Sequence, residues 1–364
     1  MTRVAMTGAR GFLGWHTRLA LREQGVDAST VAVGQEYDLD SARQAVSGSA
    51  RAVHLAGVNR ASDDEVRDGN VLFATQFAEA LRRADEPPSI VSYANSTQSI
   101  NGSVYGEAKL RASEIVRSAA DAVGATFEDV VLPNLFGEHG RPFYNAVTAT
   151  FCHMLAAGER PAVVQDKELK LLHAQNAADL LSGGIPLTMQ PSLEVRDTVS
   201  GLLSRLEGIA RAYAQDEIPD VSDTYQRDLF NTYRSYTFDT RTPITLTRHA
   251  DARGSFFEII RSHGGAGQSS FSTTVPGVSR GDHYHRRKIE RFTVLSGQAT
   301  ISLRKMFTDR VVEFAVRGDE PRAVDMPTGW SHKIQNTGTD TLYTSFWANE
   351  IFDPEKPDTI AEAV

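Results

Sequence analysis

Short apolar runs alternate with amphipathic stretches along the first part of the chain, and the alternation orders its elements. Val4 to Met6 reads as a buried strand, and apolar positions then recur at helical spacing from Phe12 to about Gly25. Ser29 to Val33 and Ala52 to Leu55 predict the next strands. Val71 to Arg83 predicts an amphipathic helix, with Pro87-Pro88 ending the connection, and Ser89 to Ser92 a further buried strand. Tyr105 to Val123 predicts a long helix stopped by Gly124, and Val130 to Leu132 the strand after it. Strand and helix in alternation predict a doubly wound, Rossmann-type parallel sheet with crossover helices. From Asn145 to about Tyr236 the pattern turns mostly helical, a region expected to cap the carboxyl ends of the strands, where open α/β sheets bind ligands.

Past Thr240 the apolar positions fall into short runs broken by Gly and Pro. Ile244 to Leu246, Ser255 to Ile260, Ser270 to Thr274, Arg291 to Leu295, Ala299 to Leu303, Arg310 to Ala315, Arg322 to Asp325 and Thr341 to Trp347 read as strands. Many short strands at this spacing predict a sandwich or barrel. The change sets an expected boundary near Arg241, with an α/β domain over 1–240 and an all-β domain over 241–364. A length of 364 residues with 41% hydrophobic and 23% charged positions suits two soluble domains. The net charge of -8 argues against a nucleic-acid or membrane-surface binder. Cys152 is the single cysteine, so an internal disulfide is excluded. With neither a leader pattern nor an apolar run of spanning length in the sequence, the expected location is the cytoplasm.

The first candidate chemistry lies between the opening strand and helix, in Thr7-Gly8-Ala9-Arg10-Gly11-Phe12-Leu13-Gly14. Gly8 supplies unusual backbone angles, Gly11 lets the main chain approach a pyrophosphate, and Gly14 lets helix and sheet pack closely. Amides at the helix start then face the phosphate charge. Arg10 suits the additional phosphate of NADP, whereas Glu36 or Asp38 would hold the ribose hydroxyls of NAD; NADP is the favoured cofactor. Tyr105 and Lys109, four apart on a helix, share one face. The ammonium lowers the phenol's pKa and can hold a ribose, and Ser96 at the end of the preceding strand can polarise a carbonyl beside that phenol.

These features resemble the extended short-chain dehydrogenase/reductase superfamily, as does His54-Leu55-Ala56-Gly57. The resemblance implies a cofactor site built from Gly8, Arg10, Gly11, Phe12, Leu13, Leu55, Ala56, Gly57, Tyr105 and Lys109. It implies that Tyr105 protonates the substrate oxygen as hydride arrives, that Lys109 supports it, and that Ser96, with Thr97 as a stand-in, orients the carbonyl. Thr97-Gln98-Ser99 carries no carboxylate where related dehydratases need one, which points to a reductase.

The second candidate chemistry is His283, His285 and Glu290, followed by His332. Two imidazoles two apart share one strand face, and a carboxylate and a third imidazole complete a divalent-ion pocket. The segments resemble the two motifs of the cupin fold, a small jelly-roll barrel with its metal inside. Asp251 to Glu258 resembles the opening strand of the deoxysugar epimerases, where Arg253 would face a diphosphate. That branch needs no metal, so retention of all four side chains implies an ion that stabilises an enolate. Tyr284 and Lys288 are candidate proton carriers beside it.

Taken together, the chain resembles the CapF (WbjC) family of bifunctional capsular polysaccharide synthesis enzymes. The likeness runs through His54 to Arg60, Pro133 to Gly137, Ala149 to Cys152, Asp251 to Phe256, Asn349 to Pro354, and Pro357-Asp358-Thr359. It implies a UDP-4-keto-6-deoxy-N-acetylhexosamine substrate, epimerisation of carbon 3 by the cupin with zinc, reduction at carbon 4 with NADPH, and a homodimer. The alternatives are a reductase or epimerase of another nucleotide sugar with a structural cupin, and a non-enzymatic nucleotide-sugar sensor. The intact Ser96, Tyr105 and Lys109 speak against the sensor, which needs no proton donor.

Overall fold

Strand β1 (Arg3–Met6) pairs in parallel with β2 (Asp27–Thr30) on one side and β3 (Arg51–His54) on the other. Beyond β3, parallel to it, lie β4 (Ile90–Ser96) and β5 (Thr126–Leu132). The sheet order β2-β1-β3-β4-β5 reverses direction between β1 and β3. Such a reversal opens a crevice outside the carboxyl ends of those two strands, where ligands of open α/β sheets bind. The computed structural model describes residues 3–364.

Successive strand residues point to opposite faces, and each face is covered by helices. Ala5, Ala52, Val91 and Tyr93 pack against α2 (Leu39–Val46), α3 (Asp63–Arg83) and α4 (Val104–Ala122). Val4, Met6, Val53, Ala94 and Val130 pack against α1 (Phe12–Glu23) on the opposite face. This is the doubly wound sheet that the alternation predicts. Helix α3 begins eight residues before Val71, because Ser62 and Glu65 form a reciprocal capping box that apolar periodicity does not register.

The stretch expected to be mostly helical also holds β7 (Glu168–His173) and β8 (Val195–Thr198), which with β6 (Asn134–Phe136), just before it, form a three-stranded sheet. Helices α5 (Val147–Ala156), α6 (Ala174–Ser182), α7 (Gln190–Leu193), α8 (Val199–Ala214) and α9 (Thr224–Arg241) make up the rest. β6 and β8 are three and four residues long, too short for alternation to be read, and β7 alternates over four residues only. By packing, residues up to Thr150 and Asp166–Val199 form one unit, and Phe151–Gln165 and Ser200–Val364 form another. Helix α9 ends at Arg241, where the sequence changes character, and its Phe238 belongs to the core of the second unit.

That second unit is all-β apart from its helices. One antiparallel sheet runs β12 (Gln268–Thr274), β19 (Leu342–Ala348), β14 (Glu290–Ser296), β17 (Arg322–Met326), β9 (Ile244–Thr245). The other runs β16 (Val311–Arg317), β15 (Gln298–Lys305), β18 (Trp330–Asn336), β13 (Ser279–Tyr284), β20 (Ile360–Ala361). Phe292, Val294 and Val324 from the first sheet share a core with Ile301, Leu303 and Ile334 from the second. A separate hairpin, β10 (Arg248–Asp251) and β11 (Gly254–Phe257), is largely exposed. The architecture is therefore a Rossmann-type domain followed by a cupin-like jelly roll. No helix among the described residues is long and apolar enough to cross a membrane.

Candidate functional site

The loops after β1 and β3 meet at the sheet's reversal. Gly8 holds φ +68°, and a Cβ there would lie 2.8 Å from the Ala56 amide nitrogen. A Cβ on Gly14 would overlap the Gly8 carbonyl oxygen and approach Ala9 Cα to 2.9 Å, so α1 packs on the turn with no room for a side chain. At Gly11 the sole close neighbour would be the Gly8 oxygen, at 3.3 Å, and the turn is open there. The turn after β1 thus lies directly against Leu55 and Ala56 of the loop after β3.

Residues that the motif reading left without a role hold this crevice together. The Thr7 hydroxyl accepts from the Leu55 and Ala56 amides at 3.0 and 3.1 Å and lies 2.9 Å from His54 Nδ1. His54 stacks between Phe77 and Tyr93, and burial, with the Lys109 charge adding to it, drives its pKa down to about 3. It is a neutral spacer. Asn70 Nδ2 donates to the Val58 and Val66 carbonyls at 2.6 and 2.7 Å, clamping the loop that follows Gly57.

The charged candidates are partly spoken for. Arg10 forms an ion pair with Glu36, both side chains largely exposed. Asp38 is the N-cap of α2, accepting from the Ser41 amide at 2.8 Å. One Asp38 oxygen is thus engaged in capping, and Glu36 and Arg10 are paired with each other.

On α4, Tyr105 faces Ser96, whose hydroxyl favours the ionised phenol, while burial outweighs that effect and raises the phenol's pKa. Lys109 turns towards β4: its Nζ donates to the Ala94 carbonyl at 2.5 Å and sits 4.2 Å from the Tyr93 ring centroid. Burial lowers the ammonium to about 7, against the opposing attraction of Asp129. The lowering of the phenol expected from Lys109 is therefore not what this arrangement produces, because desolvation dominates both groups. The phenol stays protonated at neutral pH, the form a proton donor requires.

In the barrel, His283 and His285 on and beside β13, Glu290 at the start of β14 and His332 on β18 converge. Each offers one ligand atom, and these atoms lie within 4.8 Å of one another. Glu290 Oε2 is 2.8 Å from His285 Nε2 and 3.6 Å from His332 Nε2. All three atoms are buried without a hydrogen-bond partner in alignment. His285 and His332 turn their other nitrogen, Nδ1, to the carbonyls of Asp358 and Trp330, which leaves Nε2 facing the cluster. Burial would raise the Glu290 carboxyl, but the His285 and His332 rings hold it below the usual carboxylate range. Burial and the neighbouring imidazoles lower His283 to about 4. Imidazoles and a carboxylate with buried, unaligned atoms facing one another are a donor set that fits a divalent cation.

Two neighbours are placed otherwise. Arg253 lies on the exposed hairpin, 2.6 Å from Asp251. Lys288 is buried, its Nζ donating to the Pro357 carbonyl at 2.8 Å. In this arrangement it tethers the segment around Pro357.

Comparison with known proteins accords with this geometry. Residues 4–182 match the NAD dependent epimerase/dehydratase family, and residues 249–360 match the polysaccharide biosynthesis C-terminal domain. The chain is 31% identical over 373 residues to a UDP-2-acetamido-2,6-beta-L-arabino-hexul-4-ose reductase of Pseudomonas aeruginosa, covering 100% of this chain and 99% of that one. Its fold matches the crystal structure of the capsular polysaccharide assembling protein CapF from Staphylococcus aureus with a TM-score of 0.60. The two are 30% identical, and the match covers 99% of this chain and 100% of that one. A shorter relative, the spore coat polysaccharide biosynthesis protein SpsL of Bacillus subtilis, is 26% identical over 31% of this chain and 81% of its own length. With full-length likeness to both the reductase and CapF, the chain belongs to the CapF (WbjC) family, in which a short-chain dehydrogenase/reductase domain is joined to a cupin-like polysaccharide biosynthesis domain.

Proposed function

We propose that the chain performs two successive steps on one nucleotide-linked ketosugar. The barrel epimerises carbon 3 of a UDP-4-keto-6-deoxy-N-acetylhexosamine, and the first unit reduces the carbon-4 ketone with NADPH. The observation that carries this reading is the convergence of His283, His285, Glu290 and His332 in a chain that also sets Ser96 beside Tyr105. A metal set alone would fit a storage barrel, and a Ser–Tyr pair alone would fit a simple reductase. A 4-ketone gives both sets work, because it acidifies the proton on carbon 3 and remains reducible afterwards.

In the barrel the four side chains would hold the ion, with zinc the expected metal, and a bound cation there supplies charge stabilisation for an enolate oxygen. In the first unit NADPH supplies the hydride. Tyr105, kept protonated by burial, donates its proton to the carbonyl oxygen as that oxygen gains charge. Ser96, beside the phenol, offers its hydroxyl to the same oxygen. Gly11 leaves space for the pyrophosphate, and Arg10, released from Glu36, would meet the 2′-phosphate. Lys109 in its ammonium form, turned out from the Ala94 carbonyl, would hold the ribose. The family resemblance extends this reading to a homodimer acting in capsular polysaccharide precursor synthesis.

The test is to incubate the protein with the ketosugar nucleotide in D2O, with and without NADPH. Deuterium should enter carbon 3 in both samples, and the reduced, epimerised alcohol should form in the sample with NADPH. Absence of deuterium from carbon 3 removes the barrel's role, and NADPH oxidation without epimerised product reduces the enzyme to a ketoreductase.

A further inference from the structure

We propose that Asp358 is a positioning residue for the barrel's metal, and that the last eight residues form a latch on the ligand-bearing turn. The inference rests on the metal reading above and deepens it. Asp358 is 4% exposed, and its carboxylate accepts from three consecutive main-chain amides: Arg286 at 3.0 Å, Arg287 at 2.9 Å and Lys288 at 2.8 Å. Successive amides aimed at one point form an anion-binding concavity. Here the anion belongs to the same chain, 70 to 72 residues further on. The turn so gripped joins His285 to Glu290.

The same residue also acts on a ligand directly. Its main-chain carbonyl accepts from His285 Nδ1. An imidazole whose Nδ1 proton is held this way keeps its lone pair on Nε2, the atom that faces Glu290. Aiming both groups at once takes Asp358 to φ +42°, a left-handed conformation that Asp adopts more readily than most residues.

The segment around it is anchored on both sides. Lys288 Nζ donates to the Pro357 carbonyl at 2.8 Å and to Thr359 Oγ1 at 3.3 Å. Strand β20 pairs with β13, with Ala361 opposite His283 itself. The orientation of two of the three imidazoles is therefore coupled to a segment remote from them in sequence. Partners of this kind, which orient the ligands without touching the metal, cost 10- to 100-fold in metal affinity when removed.

The experiment uses the full chain, stripped of metal, then titrated with cobalt(II) by its visible absorption and with zinc(II) by competition against a chromophoric chelator. Asp358→Asn keeps the size and the main-chain carbonyl, but it turns an NH2 towards an amide N–H. We expect it to weaken both ions by about 10- to 100-fold and to shift the cobalt bands. A residue that supported only the fold would lower occupancy without changing the bands. Lys288→Met, which loosens the tether and leaves the carboxylate in place, should give a smaller loss in the same direction, and it decides the matter if Asp358→Asn does not fold. Wild-type uptake with unchanged affinity and spectrum in both variants overturns the latch alone. A wild type that binds neither ion overturns the metal reading and the latch with it.

Discussion

Gly14→Ala and Gly11→Ala add the same methyl group three residues apart, and the structure assigns them opposite consequences for stability. At Gly14 the new Cβ would fall inside the Gly8 carbonyl oxygen and 2.9 Å from Ala9 Cα, both main-chain atoms that no rotamer change can move. Helix α1 and the turn must then separate by about 1 Å, and overpacking of that kind costs about 1–3 kcal/mol. For a unit of this size that lowers the melting temperature by roughly 2–12 °C. The shift also widens the crevice at Gly8, so NADPH binding should weaken, by about 100-fold if it scales as misplacement by 1 Å does for catalysis. At Gly11 the backbone is ordinary, φ -79°, and the added Cβ meets a single oxygen at 3.3 Å. Gly11→Ala should therefore melt with wild type and still lose NADPH, because its methyl fills the space that the pyrophosphate needs. Differential scanning fluorimetry and NADPH fluorescence titration read the two effects separately. A Gly14→Ala protein with wild-type melting and affinity would refute the packing argument, and full NADPH affinity in Gly11→Ala would refute the placement of the pyrophosphate.

Tyr105→Phe should lower kcat for ketone reduction by about 100- to 10,000-fold with NADPH affinity unchanged; turnover within tenfold of wild type would remove Tyr105 from the acid role. Burial lowers Lys109 to about 7, so if its ammonium form holds the ribose, kcat/KM for NADPH should fall roughly tenfold per pH unit above that value. A profile flat to pH 9 contradicts this. The same shift has a stability consequence: the unfolded chain keeps that lysine protonated up to its ordinary value of 10.5, so this group's contribution to stability rises with pH between about 7 and 10.5. Lys109→Met should accordingly lose reduction yet melt no lower than wild type at pH 7. In the barrel, Arg291 and Asp325 are buried and joined by hydrogen bonds of 2.6 and 3.0 Å. Arg291→Leu removes the counter-charge bonded to that carboxylate, leaving it the Tyr213 hydroxyl and the charge of Arg234, and should cost about 3–5 kcal/mol, much of it recovered by pairing the change with Asp325→Leu; equal melting of single and double variants would refute the cause.

What the sequence disclosed and what it hid divide along a physical line. Gly8 with Gly14, Tyr105 with Lys109, and His283 with His285 stand at fixed offsets within one turn, one helix or one strand end, so local geometry fixes the placement of each pair, and spacing exposes it. Thr7, His54 and Asn70 act by reaching across loops, and Asp358 reaches the turn after His285 from more than seventy residues away. Nothing in their neighbourhoods in the chain requires those residue types. The pKa of Tyr105 illustrates the same limit. Helical spacing correctly puts Lys109 one turn away, but whether an ammonium lowers a phenol depends on where it points and how dry the site is. Here Lys109 is drawn to the Ala94 carbonyl and the Tyr93 face, two partners supplied by the neighbouring strand. The covering helices show the converse. Helices α8 and α9 precede the change to strands, and periodicity groups them with the sheet they follow. Their packing goes the other way, since Tyr213 of α8 donates to Asp325 and Phe238 of α9 stacks on Trp330 in the barrel core. Spacing along the chain therefore identifies chemistry that a single element can assemble. The groups that hold that chemistry in place, and the unit a helix joins, follow from burial and reach, which exist once the chain has folded.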